Sequence, residues 1–191
     1  VRQEREQAAR EAPKLAEVLA LKPGMIVADV GAGGGAMSVE MARWLGPAGR
    51  VYATDIGAAQ LAEIAAAVKE SALTNVVVLE GGVSSTNLPN ECCDAIFLRD
   101  VYHHLTRPQE FDASLLAALK PKGRLAIMDF PPDPGSPVPA GVPADRGGHG
   151  VTTAIIVNEV TRAGFRLLET MPRWPPDNVP GRLFLVMFEK P

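Results

Sequence analysis

Four glycines fall within five residues in the stretch IVADVGAGGGAMS (26–38), directly after a run of β-formers. Each costs roughly 0.5–1 kcal/mol relative to alanine in regular structure, so Gly31, Gly33, Gly34 and Gly35 mark a turn that needs a bare backbone. The turn lies where a strand hands over to an amphipathic run. Positive φ values are needed there, and a ligand resting on the helix N-terminus needs close backbone approach. Farther along, VYATD (51–55) ends in Asp55, placed to accept hydrogen bonds from two ribose hydroxyls. A glycine turn followed by such an acid is the nucleoside-binding arrangement of doubly wound folds. Gly31 to Ala36 also satisfy the dinucleotide pattern G-x-G-x-x-[GA], so the glycines alone leave a nicotinamide cofactor open.

The rest of the chain fits that reading. Apolar segments at 25–30, 51–55, 75–80, 94–99 and 124–130 alternate with helical segments at 35–46, 58–71 and 108–119. Such alternation predicts βαβ units and a parallel sheet buried on both faces. An N-terminal helical region (1–22) precedes them, interrupted near Pro13, and KPKG (120–123) ends the third of these helices. In the 35–46 helix, Met37, Met41, Trp44 and Leu45 form the apolar side. Residues 131–150 are a Pro/Gly-rich loop without periodicity, of a length typical of lids and binding loops. A helix at 152–163 follows, with Thr152 or Thr153 as its cap. Strands at 165–172 and 182–190 are joined by a short link without a helix, so they pair antiparallel.

At 191 residues, with 47% hydrophobic and 21% charged residues, the chain has the size and composition of one soluble domain spanning 1–191. A net charge of −3 argues against a nucleic-acid partner, which a basic stripe would mark. No apolar run is long enough to cross a bilayer, so no membrane partner is expected. Cys92 and Cys93 are adjacent and make neither a disulfide framework nor a metal-binding spacing, so no metal is expected and a reducing cytoplasm is the simplest location. The first residue is Val1 rather than Met, which leaves a removed leader open.

Three features separate the cofactor readings. Asp29 stands at a strand end where dinucleotide folds usually have an apolar residue, and an acid there can reach an ammonium group. The sheet ends in a hairpin rather than a second mononucleotide-binding half. There is also no room for a separate catalytic domain. On VADVGAGGG, VYATDI, CCDAIFLRDVYHHL and LKPKGRLAIMDF, in that order and spacing, the sequence resembles class I S-adenosylmethionine-dependent methyltransferases over nearly its whole length. The resemblance implies a doubly wound three-layer α/β sandwich whose seven-stranded, mostly parallel sheet has an antiparallel last strand.

It also implies a cofactor site. Asp29, Gly31, Ala32 and Gly33 would line the methionine end, Asp55 would bind the ribose, and Ile56 would pack on adenine. Gly82 and Val83 would lie at the adenine edge, and Arg99 and Asp100 would floor the site. Many members carry an Asp for the adenine amino group where this chain reads EGGVSS, so either backbone groups or Ser84 and Ser85 substitute, or adenine selection is looser.

Methyl transfer from a sulfonium needs alignment above all, with a base only where the acceptor arrives protonated. Tyr102, His103 and His104 follow the fourth strand where members place substrate-facing residues; one histidine of the pair is expected to face the cavity while the other packs. His149, flanked by glycines at the end of the long loop, is a further candidate. Vicinal cysteines raise arsenite methylation, but the other thiolates of such enzymes have no match here. Trp174 is expected to close the hairpin rather than flank the substrate mouth, and the arginines near the N-terminus to form a solvated face over the cofactor cleft. The expected activity is methyl transfer from S-adenosylmethionine, released as S-adenosylhomocysteine, to a small-molecule acceptor. A catalytically inactive binding module for the same nucleosides and an NAD-dependent oxidoreductase are the alternatives. RDVY stands where N/D-P-P-Y/F would mark amino-group methylation of adenine or glutamine.

Overall fold

A computed structural model describes residues 2–177 and 182–191. Seven strands form one sheet: β1 (Ile26–Val30), β2 (Arg50–Asp55), β3 (Val76–Glu80), β4 (Cys93–Arg99), β5 (Leu119–Asp129), β6 (Arg166–Trp174) and β7 (Leu183–Glu189). Their spatial order is β3-β2-β1-β4-β5-β7-β6. The first five pair in parallel, and β7 runs antiparallel to both β5 and β6. Among the described residues, five α-helices, α1 (Arg2–Val18), α2 (Ala36–Leu45), α3 (Ala58–Glu70), α4 (Pro108–Ala118) and α5 (Thr153–Arg162), and two short 3₁₀ turns accompany the sheet. The chain reverses its winding direction between β1 and β4, which opens a crevice beyond the C-terminal ends of those strands.

The period-two geometry of strands sends neighbouring residues to opposite faces. Phe97 and Met128 pack with Met41, Leu45 and Leu15 on one side of the sheet. Ile96, Leu98 and Ile127 pack with Leu115, Ile156 and Val160 on the other. Among the described residues, no helix is long and apolar enough to cross a membrane.

The fold differs from the sequence expectation in three details. Helix α1 runs unbroken through Pro13. Pro13 and Ala9 are both exposed, so the carbonyl that loses its partner meets water, while Glu11, Ala12 and Leu15 anchor the opposite side. Trp44 is 36% exposed, because the buried stripe of α2 centres on Met41, Ala42 and Leu45 and leaves Trp44 at its edge. KPKG, expected to end the helix ahead of a strand beginning at 124, is itself part of β5. Lys190 donates from its backbone to Gly123 and from Nζ to Leu119, and this tie to the end of β7 draws the segment out as strand.

Candidate active site

The glycine turn is shaped by what crosses it. Gly31 has φ 77°, and a Cβ there would collide with the Val101 side chain beyond β4. At Gly33 an added Cβ would meet nothing within 4 Å, so the backbone faces an open cleft. The turn also orients the acid of β2: Gly33 N donates to Asp55 Oδ2 at 2.9 Å and Ile56 N to Oδ1 at 2.8 Å. Each carboxylate oxygen keeps a further acceptor site.

The cleft has two chambers. One, of about 270 Å³, is lined by Asp29, Ala32, Gly33 and Arg99, and roofed by Gln7, Ala8 and Glu11 of α1. The other, of about 520 Å³, is lined by Asp55, Ile56, Gly82, Val83 and His104. Gly31, Asp100 and Val101 belong to both walls and form the saddle between them. Every residue expected at the cofactor therefore lines one chamber or both. Ile56 and Val83 are the more exposed apolar side chains of the second chamber, at 63% and 58%.

Asp29 is 2% exposed, and desolvation pushes its carboxyl up to about 7. The Ser38 hydroxyl, donating to its Oδ2 at 2.6 Å, and the charge of Arg99 partly oppose that rise, while Asp55 adds to it. Arg99 Nε donates to both oxygens of Glu11 at 3.0 Å, and Trp174 Nε1 donates to the same carboxylate at 2.8 Å. This junction fastens α1 over the first chamber. Neither Glu11 nor the reach of Trp174 was singled out from sequence; the signal available was an acid within the apolar stripe of an otherwise polar helix. Arg5 pairs with Glu70 of α3, and both side chains are exposed, so the N-terminal arginines stand on a solvated face.

Where the adenine edge is expected, Gly81, Gly82 and Val83 line the second chamber, and Ser84 and Ser85 are not among its lining residues. The Ser85 hydroxyl is engaged with Ser114 and with Asn87 N.

The histidines converge at the far side of the second chamber. His103 is buried; its Nδ1 is 2.9 Å from Asp129 Oδ1 and its backbone N donates to Oδ2 at 3.0 Å. His104 is exposed and lines the chamber, so one member of the pair packs and the other faces the cleft. Desolvation, followed by the neighbouring imidazoles, lowers the pKa of His104. His149 lies beside both, with ring centroids 4.9 Å from His103 and 5.6 Å from His104. Asp129, which orients His103, was legible only as an acid ending an apolar strand, the same signal that marks Asp29. Arg182 lies over the Phe130 ring, 3.4 Å from its centroid, and 3.9 Å from the Asp100 carboxylate.

Tyr102 is turned the other way. It is fully buried, with its hydroxyl 2.8 Å from Asp112 Oδ2 and 3.0 Å from Glu159 Oε2. Burial, with those two acids, raises its pKa further from any working range. Cys92 and Cys93 are free thiols, 2.7 Å apart between sulfurs, at the end of β4 away from the cleft. Their mutual hydrogen bond lowers the first thiol and raises the second.

Residues 28–127, which hold the glycine turn, both strand acids and the first two histidines, match the family described as methyltransferase domain. The chain belongs to that family. The ubiquinone/menaquinone biosynthesis C-methyltransferase UbiE of Pseudomonas aeruginosa (strain LESB58) is 26% identical over 115 residues, 60% of this chain and 45% of that protein. Its counterpart in Ectopseudomonas mendocina is 27% identical over 127 residues, 66% and 49% respectively. The chain thus spans about half the length of the curated relatives it matches. A SAM-dependent methyltransferase from Aquifex aeolicus is similar in structure, with TM-score 0.77, 26% identity and coverage of 94% of this chain and 89% of that one. The [4+2]-cyclase SpnF, at 20% identity and TM-score 0.76 over 96% of this chain and 81% of that one, shares the fold.

Proposed function

We propose that the chain is a single methyltransferase domain that moves the methyl group of S-adenosylmethionine to a small-molecule acceptor. The observation that carries this reading is the pair of chambers meeting at Gly31, Asp100 and Val101, with a buried acid in one and an exposed-edge acid in the other. Those donors fit the cofactor. Asp29, kept out of water and pushed up to about 7, is a carboxyl that a cation would relieve, and the ammonium of the methionine end supplies one. Asp55 has acceptor sites left for two ribose hydroxyls, and bare backbone at Gly33 and Gly82 admits close approach. Backbone groups at Gly82 and Val83 would take the adenine edge.

When bound, S-adenosylmethionine supplies an electrophilic methyl on a sulfonium and leaves as S-adenosylhomocysteine. The protein's part is alignment, which can contribute up to about 7–11 kcal/mol. The acceptor enters on the side bounded by Pro139 and Val142 of the long loop and by His104. With its pKa lowered, His104 is neutral near pH 7 and presents a lone pair to an acceptor proton. The apolar wall of that side, with Leu105 and Phe111, suits an acceptor with an apolar body, as the quinone-pathway names of the relatives would also suit. The two unlinked thiols support a cytoplasmic site of action.

Parallel calorimetric titrations with S-adenosylmethionine, S-adenosylhomocysteine and NAD test the reading. Binding of both sulfur nucleosides, weakened at least about 100-fold in Asp55→Ala, is expected; that loss equals about 2.7 kcal/mol. Binding of NAD alone would overturn it. Nucleoside binding without turnover across an acceptor panel would favour the inactive-module alternative.

A further inference from the structure

We propose that His103, His104 and His149 form a binding site for one divalent transition-metal ion at the acceptor end of the cleft. One ring nitrogen from each lies within 4.8 Å of the other two. Two of the histidines come from the turn after β4, and the third arrives from the distant end of the 131–150 loop.

Three features show that the cluster is constructed rather than accidental. Asp129, wholly buried, accepts from the backbone N of His103 and holds Nδ1 of the same residue at 2.9 Å. With Nδ1–H given to the carboxylate, Nε2 carries the lone pair, and a histidine that ligates a metal almost always has its other nitrogen fixed in this way. The loop is pinned where it delivers His149. Asp133 N donates to His149 O at 2.9 Å, and His149 N donates to Ser136 O at 3.0 Å. Beside it, Gly148 has φ 137°, and a Cβ there would collide with the Asp133 carbonyl, so only glycine lets the two strands of the loop close this tightly. The Phe130 ring, 4.6 Å from His103 and 5.4 Å from His149 between centroids, shields the cluster with apolar surface.

Three imidazoles suit zinc, copper, iron or nickel rather than magnesium or calcium, which take oxygen donors. Nitrogens about 2.0–2.1 Å from a shared tetrahedral ion fit within the 4.8 Å span of the cluster, with side-chain rotation setting the final geometry. Three protein ligands leave a position open, the pattern of catalytic rather than structural sites. Because His104 lines the second chamber, that position faces the cleft, where an oxygen or nitrogen of the acceptor can occupy it. Loaded, the histidines serve as ligands, and the ion rather than an imidazole polarises the acceptor. Asp100, whose carboxylate oxygen lies within 4.8 Å of donor atoms of His103 and Asp129, adds a further acid beside His103.

The test is a titration of cobalt(II) and zinc(II) into the full chain, carrying no histidine tag, stripped with chelator and free of nucleoside. It does not depend on the methyl-transfer reading. One equivalent is expected to bind, with the visible spectrum of four-coordinate cobalt. The double variant His104→Ala/His149→Ala, altered at an exposed and a half-buried position, should lose at least about 100-fold in affinity, and Asp129→Asn about 10–100-fold. Circular dichroism establishes that each variant is folded, and Cys92→Ser should bind as the unaltered chain does. Absence of binding by the unaltered chain, binding that survives the double variant, or binding lost in Cys92→Ser would overturn the site.

Discussion

Asp29 and Asp112 are both buried, and desolvation pushes the carboxyl of each up to about 7, yet they stand in regions of opposite character. Asp29 ends on the wall of a chamber, beside Arg99 and the bare glycine turn. Asp112 is sealed between helices with Tyr102, Glu159 and Arg146, and its Oδ1 has no hydrogen-bond partner among the described residues. The hydrogen count explains how the second region tolerates its acid. Tyr102 has a single hydroxyl proton and two carboxyl neighbours. A protonated Asp112 can donate to that oxygen while the hydroxyl donates to Glu159, whose charge Arg146 meets at 3.0 Å. In this region a shifted acid is part of a closed polar network. In the other it is an acid that a cationic ligand can relieve, so access rather than the shift itself marks the site.

The sharpest break between the regions is Asp29→Asn. Cofactor affinity should fall at least about 100-fold, or about 2.7 kcal/mol, while the ligand-free chain melts a few degrees higher at pH 8, where the buried carboxylate opposes folding. Roughly 1 kcal/mol corresponds to about 2–4 °C for a chain of this size. The unaltered chain adds a pH signature. An ammonium ligand requires ionised Asp29, so affinity should weaken as pH falls below about 7 and proton release should accompany binding. Calorimetry in buffers of different ionisation enthalpy reads both. Unchanged affinity in the variant, or release that persists in it, would remove Asp29 from the site.

The contrast also bears on what sequence can reveal. The half of the cleft expected to hold the cofactor was legible because its pattern is local: the glycines, Asp29 and Asp55 sit at strand ends a βαβ pattern already locates, and all line the crevice. Residues 99–105 were legible only as a cluster, since a turn's side-chain directions follow from tertiary packing. Three consecutive residues in one short 3₁₀ turn, Tyr102, His103 and His104, point respectively into the helix layer, onto Asp129 and into the cleft. Glu11 was illegible because its partners, Arg99 and Trp174, lie far off in sequence. His149 was visible as a candidate, but its meeting with His103 depends on a loop whose path no periodicity encodes.

Tyr102→Phe probes the sealed region from its centre. Removing the hydroxyl leaves Asp112 and Glu159 without a shared partner, and a buried polar group left unsatisfied costs about 1–3 kcal/mol. The variant should melt lower by thermal denaturation, yet titrate nucleoside with unaltered affinity. A loss of nucleoside affinity or of turnover in a chain whose stability is intact would return Tyr102 to the cleft.

Asp112→Asn is the smallest expected change and the most exacting for the comparison. An amide donates to the Tyr102 oxygen as the protonated acid does, so the hydrogen-bond order of the network survives and cofactor affinity should not move. What changes is the pH dependence of stability. With its folded pKa raised from 3.8 to about 7, Asp112 holds its proton in the folded chain over an interval in which the unfolded chain has released it. Its contribution to stability therefore falls as pH rises from about 4 through 7, and is flat above. Asparagine has no such slope. The difference in melting temperature between the variant and the unaltered chain should be close to zero near pH 4 and grow in favour of the variant as pH rises toward 8, a difference in which the slope from Asp29 cancels. A gap that stays constant across that range would mean that Asp112 does not titrate in it, and the two acids would then differ in charge state as well as in access.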